Sequence, residues 1–195
     1  MATQVLLVDY GGVISRPQPS GSVAAMAALV GIELSVFEQR YWEHRPQLDR
    51  GLPAREYWSI VAGRELDDQG IIEQLAQIDL ASWSHFNDDT LDLLEEAHER
   101  GFSLSVLSNA PRDMAAVLHG HPALAHFDHL LFSSEIGAVK PEPAAFQAAL
   151  DALARDPAEV LFIDDRPDNV AAAQSLGLAA TLFTSADQLR SELFA

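Results

Sequence analysis

Several features that define other classes of protein are missing from this chain of 195 residues. It contains no cysteine, which excludes a disulfide framework, thiol catalysis and a thiolate metal site. No apolar run approaches the roughly 20 residues of a membrane span, and the N-terminus lacks a basic region followed by an apolar one. The sequence therefore predicts a cytoplasmic protein.

Positive charge is also scarce, because 12 Lys and Arg residues face 29 Asp and Glu residues, for a net charge of −17. Such a chain repels nucleic-acid phosphate and anionic lipid, so we expect neither nucleic acid nor a membrane as a partner. A phosphorylated small molecule would meet the same repulsion and would need a local cation. The hydrophobic share of 48% and the charged share of 21% are typical of a globular domain.

The segment 5–14 carries the strongest local signal. Four apolar residues, 5–8, are typical of a strand buried on both faces of a parallel sheet. Asp9, Gly11 and Gly12 follow at its carboxyl end, where ligands bind in open α/β sheets and where glycines let backbone N–H groups approach an anion. Asp9 is therefore a candidate nucleophile or metal ligand, although an Asp before two glycines is also common in turns.

The rest of the chain shows two patterns. Residues 22–86 have helical periodicity without a good strand, which predicts about four short helices, the second of them from about Ser35 to Trp42. From residue 90 onward helices alternate with predicted strands at 102–107, 130–133, 159–163 and 179–183. Alternation predicts a parallel, doubly wound sheet. We therefore expect an α/β fold with a Rossmann-like core, residues 1–15 and 87–195, and an all-helical cap, residues 16–86, inserted after the first strand.

Polar side chains follow the predicted strands where these end: Asp9, Ser108, and the pair Asp164 and Asp165. Because the carboxyl ends of neighbouring parallel strands gather at one edge, these groups should converge. Three carboxylates together would repel one another and raise one another's pKa, and a bound hard cation relieves this. Oxygen ligands without a nearby His or Cys favour Mg²⁺.

Ser108, Asn109 and Lys140 supply the hydrogen-bond donors and the positive charge that a phosphoryl group needs. Each has a simpler explanation. Ser108 could cap the helix that opens at Pro111, Asn109 could serve a turn, and Lys140 could be a solvated surface side chain. Asn169 is expected to cap its helix or to support the acidic loop.

In this order the motifs resemble the haloacid dehalogenase-like hydrolases, and the resemblance covers nearly the whole chain. It rests on 5–13, on Leu107-Ser108-Asn109, on Val139-Lys140-Pro141-Glu142-Pro143, and on 162–169, which contains Asp164-Asp165. It implies an aspartyl-phosphate formed on Asp9. It also implies catalytic roles for Asp9, Ser108 and Lys140, phosphate binding by Gly11, Gly12, Ser108, Asn109 and Lys140, Mg²⁺ binding by Asp9, Gly11, Asp164 and Asp165, and support from Asn169.

One position departs from the family pattern. Its phosphatases usually carry a second Asp, which protonates the leaving oxygen, where this chain has Gly11. A general acid is worth about 10²- to 10⁴-fold in rate, so its loss predicts a slower enzyme. A subset of bacterial sugar-phosphate phosphatases, of the glucose-1-phosphate type, is similar in having Gly there, and the cap segment Asp49-Arg50-Gly51 also resembles that subset.

The sequence thus predicts a Mg²⁺-dependent phosphomonoester hydrolase of a small phosphorylated metabolite, with a sugar phosphate as one candidate. The alternatives are a non-catalytic binding or regulatory module and a 2-haloacid dehalogenase, which resembles this chain less because it typically has Tyr at the position of Gly11.

In the cap, Arg50 is expected either at the substrate or in a surface ion pair. Trp42, Tyr57, Trp58 and Trp83 are expected to pack the helices, and Arg16 is close enough to the first strand to fill the region of the missing acid. The substrate and the oligomeric state stay open.

Overall fold

A five-stranded parallel sheet forms the centre of the protein, as seen in a computed structural model that describes residues 5–194. The strands are β1 (Val5–Val8), β2 (Ser103–Ser108), β3 (Phe127–Phe132), β4 (Val160–Asp164) and β5 (Ala179–Leu182), in the order β3-β2-β1-β4-β5. The central strand β1 pairs in parallel with β2 on one side and β4 on the other. The predicted α/β fold with a parallel sheet is confirmed.

Helices connect and cover these strands. They are α1 (Ser20–Val30), α2 (Leu34–Asp49), α3 (Ala54–Ala62), α4 (Gln69–Ser82), α5 (Asp88–Glu99), α6 (Arg112–Leu118), α7 (Ser133–Ile136), α8 (Pro143–Leu153), α9 (Pro167–Ser175) and α10 (Ala186–Leu193). Alternate residues of β1 face opposite sides. Leu6 and Val8 join a buried cluster with residues of α5, α6 and α10, whereas Val5 and Leu7 join one with residues of α8 and α9. The apolar run 5–8 is therefore buried on both faces.

The helices α1–α4 have a hydrophobic core of their own, whose largest members are Phe37, Tyr41, Tyr57 and Trp58. The two connections to this helical unit run side by side. The N–H of Arg16 donates to the carbonyl of His85 at 2.6 Å, and that of Asn87 to Ile14 at 2.8 Å. We propose residues 16–86 as a cap domain and 1–15 with 87–195 as the core, of which 1–4 and 195 lie outside the described residues.

Some element bounds differ from those predicted. Helix α2 continues through Asp49 instead of ending near Trp42, although it contains Pro46. A buried ion pair between Arg45 and Asp49, one turn apart, spans that proline. Strand β3 begins at Phe127 instead of residue 130, because its parallel pairing with β2 determines its start more than its mixed polar sequence does.

No single helix within residues 5–194 is long and apolar enough to cross a membrane. Helices α1 and α2 reach that length and composition only as a pair bent by 105°.

Candidate active site

The predicted carboxylate cluster forms at the carboxyl edge of the sheet. Asp9 directly follows β1, and Asp164 is the last residue of the neighbouring strand β4. Asp9, Asp164 and Asp165 each place a carboxylate oxygen within 4.8 Å of those of the other two. The order of the strands therefore brings together acids that are far apart in the sequence.

Lys140 lies between two of these acids. Its Nζ atom is 2.8 Å from Oδ1 of Asp9 and 2.7 Å from Oδ2 of Asp164. Lys140 is only 3% exposed and Asp164 is fully buried, so this ammonium is the local cation that an acidic protein needs at an anion site. The simpler reading of Lys140 as a solvated surface residue is wrong.

Asn109 holds the backbone of Lys140 on both sides. Its Nδ2 atom donates to the Lys140 carbonyl at 2.9 Å, and its Oδ1 atom accepts from the Lys140 N–H at 2.8 Å. The side chain of Asn109 therefore positions Lys140, and direct phosphate binding by Asn109 stays a prediction. Ser108, the neighbour of Asn109 in the sequence, is the last residue of β2. It is buried and lines a cavity above the carboxylate cluster.

Asp164 and Asp165 have different surroundings. Asp164 accepts from Lys140 Nζ, from the Arg166 N–H at 2.8 Å and from Nδ2 of Asn169 at 3.0 Å to each oxygen. Asp165 is exposed toward the cavity. Asp164 therefore fixes the cluster, while Asp165 presents its carboxylate to whatever enters. Asn169 supports this arrangement, as predicted from its position.

The turn Tyr10–Ile14 closes over the acids. The Tyr10 N–H donates to Asp9 Oδ1 at 2.7 Å, which orients the carboxylate. Gly12 has φ +76°, and a Cβ placed there would overlap the carboxylate of Asp165, so glycine is required. Gly11 has φ −69°, and its Cβ would lie 3.5 Å from Cζ3 of Trp83, so a side chain fits there.

Burial raises the pKa of Asp9 to about 8; Lys140 opposes this rise, and repulsion from Asp164 and Asp165 adds to it. Burial also raises the pKa of Asp165, again with help from Asp164. Burial would lower the pKa of Lys140, but attraction to Asp9 and Asp164 raises it overall. With its acids ionised, the cluster carries more negative than positive charge and favours a cation.

The ligand atoms that this site offers to a metal fit a magnesium ion. All are oxygens, and the carboxylates are in excess over the single ammonium. Oδ1 of Asn169 is a buried acceptor without a hydrogen-bond partner in the described chain, at the wall of the same cavity. Asp9 and Asp165 are the carboxylates that would hold Mg²⁺, because both line the cavity, whereas Asp164 is fully buried and accepts from Lys140, Arg166 and Asn169. Metal binding by Asp164 and by the carbonyl of Gly11 stays a prediction.

A cavity of about 510 Å³ opens above the cluster, between the core and the helical unit. Trp42 and Trp83 line it, and Trp42 is 49% exposed. Tyr57 and Trp58 pack the helices as expected. Trp42 also packs on Tyr41 and Trp83, but it leaves about half of its surface exposed at the cavity.

Other residues of α2 also reach the cavity, and of these the sequence pointed to Asp49, as part of the segment Asp49-Arg50-Gly51, but not to Arg45. Arg45 and Asp49 line it while forming a buried ion pair at 2.8 Å. Their spacing of four residues was the available signal, but it lay beyond the predicted end of the helix. Arg45 also lies 3.0 Å from Asp79 of α4.

The helical unit contacts the core through the end of α2. The Ser133 hydroxyl donates to the Asp49 carbonyl at 2.6 Å, and Arg50 forms an ion pair with Glu142, two residues after Lys140. Arg16 points elsewhere: its Nε atom donates to the Phe86 carbonyl at 3.2 Å. The expectation that Arg16 fills the region beside Gly11 is wrong, because the connection between core and cap uses its side chain.

Comparison with known proteins agrees with this site. The sequence profile described as a haloacid dehalogenase-like hydrolase matches residues 5–177. The chain belongs to the haloacid dehalogenase-like hydrolases. The motif resemblance seen in the sequence is confirmed at the level of this family, and the protein is a hydrolase of that family.

Among its relatives, "Phosphatase MT3486" of Mycobacterium tuberculosis is 29% identical over 97% of this chain and 91% of its own length. Rat "Bifunctional epoxide hydrolase 2" is 26% identical over 93% of this chain but only 36% of its own. This haloacid dehalogenase-like chain therefore corresponds to about a third of that longer protein.

Solved structures share the fold over the whole chain. The HAD family enzyme bt-2542 of Bacteroides thetaiotaomicron, in a mutant form complexed with magnesium and inorganic phosphate, has a TM-score of 0.78 at 21% identity, with 100% of both chains covered. The L-2-haloacid dehalogenase RSc1362 has a TM-score of 0.75 at 15% identity, with the same coverage. At these identities the likeness shows the fold alone.

Proposed function

We propose that this hydrolase is a Mg²⁺-dependent phosphomonoester hydrolase that acts on a small phosphorylated metabolite. The observation that carries the proposal is the cluster of Asp9, Asp164 and Asp165 around the buried Lys140, at the floor of a cavity. The buried ammonium of Lys140 lies beside Asp9, whose ionised carboxylate can act as a nucleophile. This pair is suited to a dianionic phosphoryl group.

In this mechanism Asp9 attacks phosphorus. A bond forms between a carboxylate oxygen of Asp9 and phosphorus, the bond to the ester oxygen breaks, and its electron pair leaves with that oxygen. Water then attacks the phosphorus of the aspartyl-phosphate and releases inorganic phosphate and the free carboxylate. Mg²⁺, when bound, supplies charge neutralisation for the phosphoryl oxygens.

Other residues of the chain bind and orient the phosphoryl group. Lys140 places positive charge at the reacting oxygens, and Asn109 holds the Lys140 backbone. The hydroxyl of Ser108 and the backbone at Gly11 and Gly12 are the proposed donors to phosphate. The carboxylate of Asp164 holds Lys140 from one side, and Lys140 contacts Oδ1 of Asp9 on the other.

The comparisons support this proposal through the relative named a phosphatase and through the structural neighbour complexed with magnesium and phosphate. The proposal includes membership of a helical-cap subgroup of the family, the sugar-phosphate phosphatases that have Gly in place of the usual acid. A sugar phosphate is one candidate substrate, and a rate lowered by the lack of an acid at Gly11 is expected.

Two other functions share the fold. A 2-haloacid dehalogenase is consistent with the fold of RSc1362, but the exposed carboxylate of Asp165 in the cavity favours metal-assisted phosphoryl transfer. A binding module that has lost catalysis is consistent with Gly11, but it gives no reason for Asp9, Lys140 and Asp165 to remain assembled.

A panel of phosphate esters, assayed for phosphate release with Mg²⁺ and with EDTA, tests the proposal. We expect release that depends on Mg²⁺ from at least one class of ester. No release from any ester would contradict it, and Mg²⁺ or phosphate binding without turnover would then favour the binding module. Chloride release from a 2-haloacid in the presence of EDTA would favour the dehalogenase.

A further inference from the structure

The charged side chains on the cap side of the cavity are already paired. Arg45 forms ion pairs with Asp49 at 2.8 Å and with Asp79 at 3.0 Å, and all three side chains are buried. Arg50 is paired with Glu142. A leaving group rich in hydroxyls or charge therefore finds few polar partners on that side that are not already engaged.

Aromatic surface is what the cavity offers instead. Trp42 lies in the wall with 49% of its surface exposed, although it is among the largest apolar side chains. Its ring packs edge-to-face on Tyr41 at 4.8 Å and on Trp83 at 6.4 Å, which fixes its orientation. Trp83 reaches the catalytic end, because a Cβ on Gly11 would lie 3.5 Å from its ring.

Among residues 5–194, Asp49 is the carboxyl group of the helical unit that lines the cavity, and its pairing with Arg45 has a chemical consequence. When the ester bond breaks, its electron pair stays on the leaving oxygen. The Val139 N–H and Arg50 hold the pKa of the nearby Glu142 low, and the Oδ1 atom of Asp49 accepts from Arg45 Nε at 2.8 Å, which opposes the rise that burial causes in the pKa of Asp49. An alkoxide is a poor leaving group without a proton, whereas a phenolate delocalises the charge into its ring.

We infer that the substrate is an aryl phosphate, whose planar ring lies against Trp42 and Trp83 and whose oxygen leaves as a phenolate. The inference rests on the proposed phosphatase function and narrows its substrate class to aryl phosphates, which replace the sugar phosphate given above as one candidate. In the reaction Asp9 forms a bond to phosphorus, the bond between phosphorus and the aryl oxygen breaks, and the phenolate takes the electron pair and later a proton from water.

Binding of two phosphonates of similar size tests this inference without turnover. Phenylphosphonate and cyclohexylphosphonate are titrated calorimetrically into the full chain with Mg²⁺. Since aromatic pairs contribute beyond buried area, we expect phenylphosphonate to bind about 3- to 10-fold more tightly. In Trp42→Leu this preference should fall to less than about 2-fold, and in the ring-retaining control Trp42→Phe it should persist.

A preference near unity in the parent, a preference unchanged in Trp42→Leu, or no binding of either phosphonate overturns the inference. Hydrolysis of phenyl phosphate and cyclohexyl phosphate by the same proteins separates it from the proposed function. Turnover of esters without ring preference leaves the phosphatase intact and refutes the aryl substrate. Ring-selective binding without hydrolysis of any ester refutes the phosphatase and keeps the aromatic site.

Discussion

Asp9 is a carboxylate buried beside two further acids and one lysine, and this placement has a cost in stability. Its pKa of about 8 in the folded protein lies well above the value of 3.8 for a free side chain, chiefly because burial disfavours the charged form. The folded protein therefore keeps a proton there that the unfolded chain has lost. The ionised form of Asp9, which is the form that attacks phosphorus, is therefore the one that burial disfavours.

We predict that Asp9→Asn stabilises the protein in the absence of Mg²⁺. Between about pH 4 and pH 8 the unfolded chain binds fewer protons at residue 9 than the folded one, so the free energy of unfolding falls as pH rises through that range. Asn removes this dependence, and at pH 8 the variant should be at least about 1 kcal/mol more stable. Urea unfolding at pH 5 and pH 8 measures the difference.

The matched control for that experiment is Asp168→Asn, the same chemical change at an exposed residue in the first turn of α9. It should show the parent's pH dependence. Saturating Mg²⁺ should narrow the gap between the parent and Asp9→Asn, because the metal stabilises the ionised carboxylate. If Asp9→Asn were less stable than the parent at pH 8 without metal, the account of this residue would be wrong.

Gly11 allows a test of the missing acid. Its φ of −69° suits any residue, and a Cβ there makes ordinary contact with Trp83. In Gly11→Asp we expect alkyl phosphate hydrolysis to gain more than aryl phosphate hydrolysis, which lowers the aryl-to-alkyl ratio of kcat/KM by about 10-fold or more. The control Gly11→Asn has the same shape without an acidic proton. Equal ratios in the parent and Gly11→Asp would contradict the prediction.

Helix α2 connects the interior of the helical unit with the segment that carries Lys140. Arg45 is held by acids from α2 and α4, and the last turn of α2 contacts Ser133 and approaches the Lys140 loop through Arg50 and Glu142. The end of α2, which lines the cavity, is therefore in contact with the segment around Lys140.

We predict that Arg45→Met destabilises the protein by about 3–5 kcal/mol, since it leaves Asp49 and Asp79 buried without their cation. The comparison is Arg155→Met, which removes an exposed pair with Glu159 at 3.8 Å and should cost less than about 1 kcal/mol. Denaturant unfolding followed by circular dichroism measures both. Equal losses in the two variants would show that the cluster around Arg45 is not a structural centre.

How far the sequence leads differs between elements. The core strands were predicted because apolar runs that end in polar residues are a local signal, and the same signal located Asp9, Ser108 and Asp164. Helix α2 was predicted too short, because the stabilising partner of Arg45 in α4 is remote in sequence. The exposure of Trp42 could not be predicted either, since its helical spacing is also that of a core residue.

In the whole molecule, the order of the strands explains how residues far apart in the sequence form a single candidate active site. With β1 at the centre and β2 and β4 beside it, Asp9, Ser108 and Asp164 meet at one edge. The whole chain carries a net charge of −17, so an anionic substrate needs local positive charge, which the buried Lys140 and a bound cation would supply at this edge.

The most direct test of the central claim is hydrolysis of p-nitrophenyl phosphate by the parent, Asp9→Asn and Asp168→Asn across a Mg²⁺ titration. We predict turnover that requires Mg²⁺ in the parent and in Asp168→Asn, and a loss of at least about 10³-fold in Asp9→Asn. Turnover without metal, activity retained in Asp9→Asn, or no turnover in any of the three proteins would contradict a metal-dependent phosphatase with Asp9 as its nucleophile.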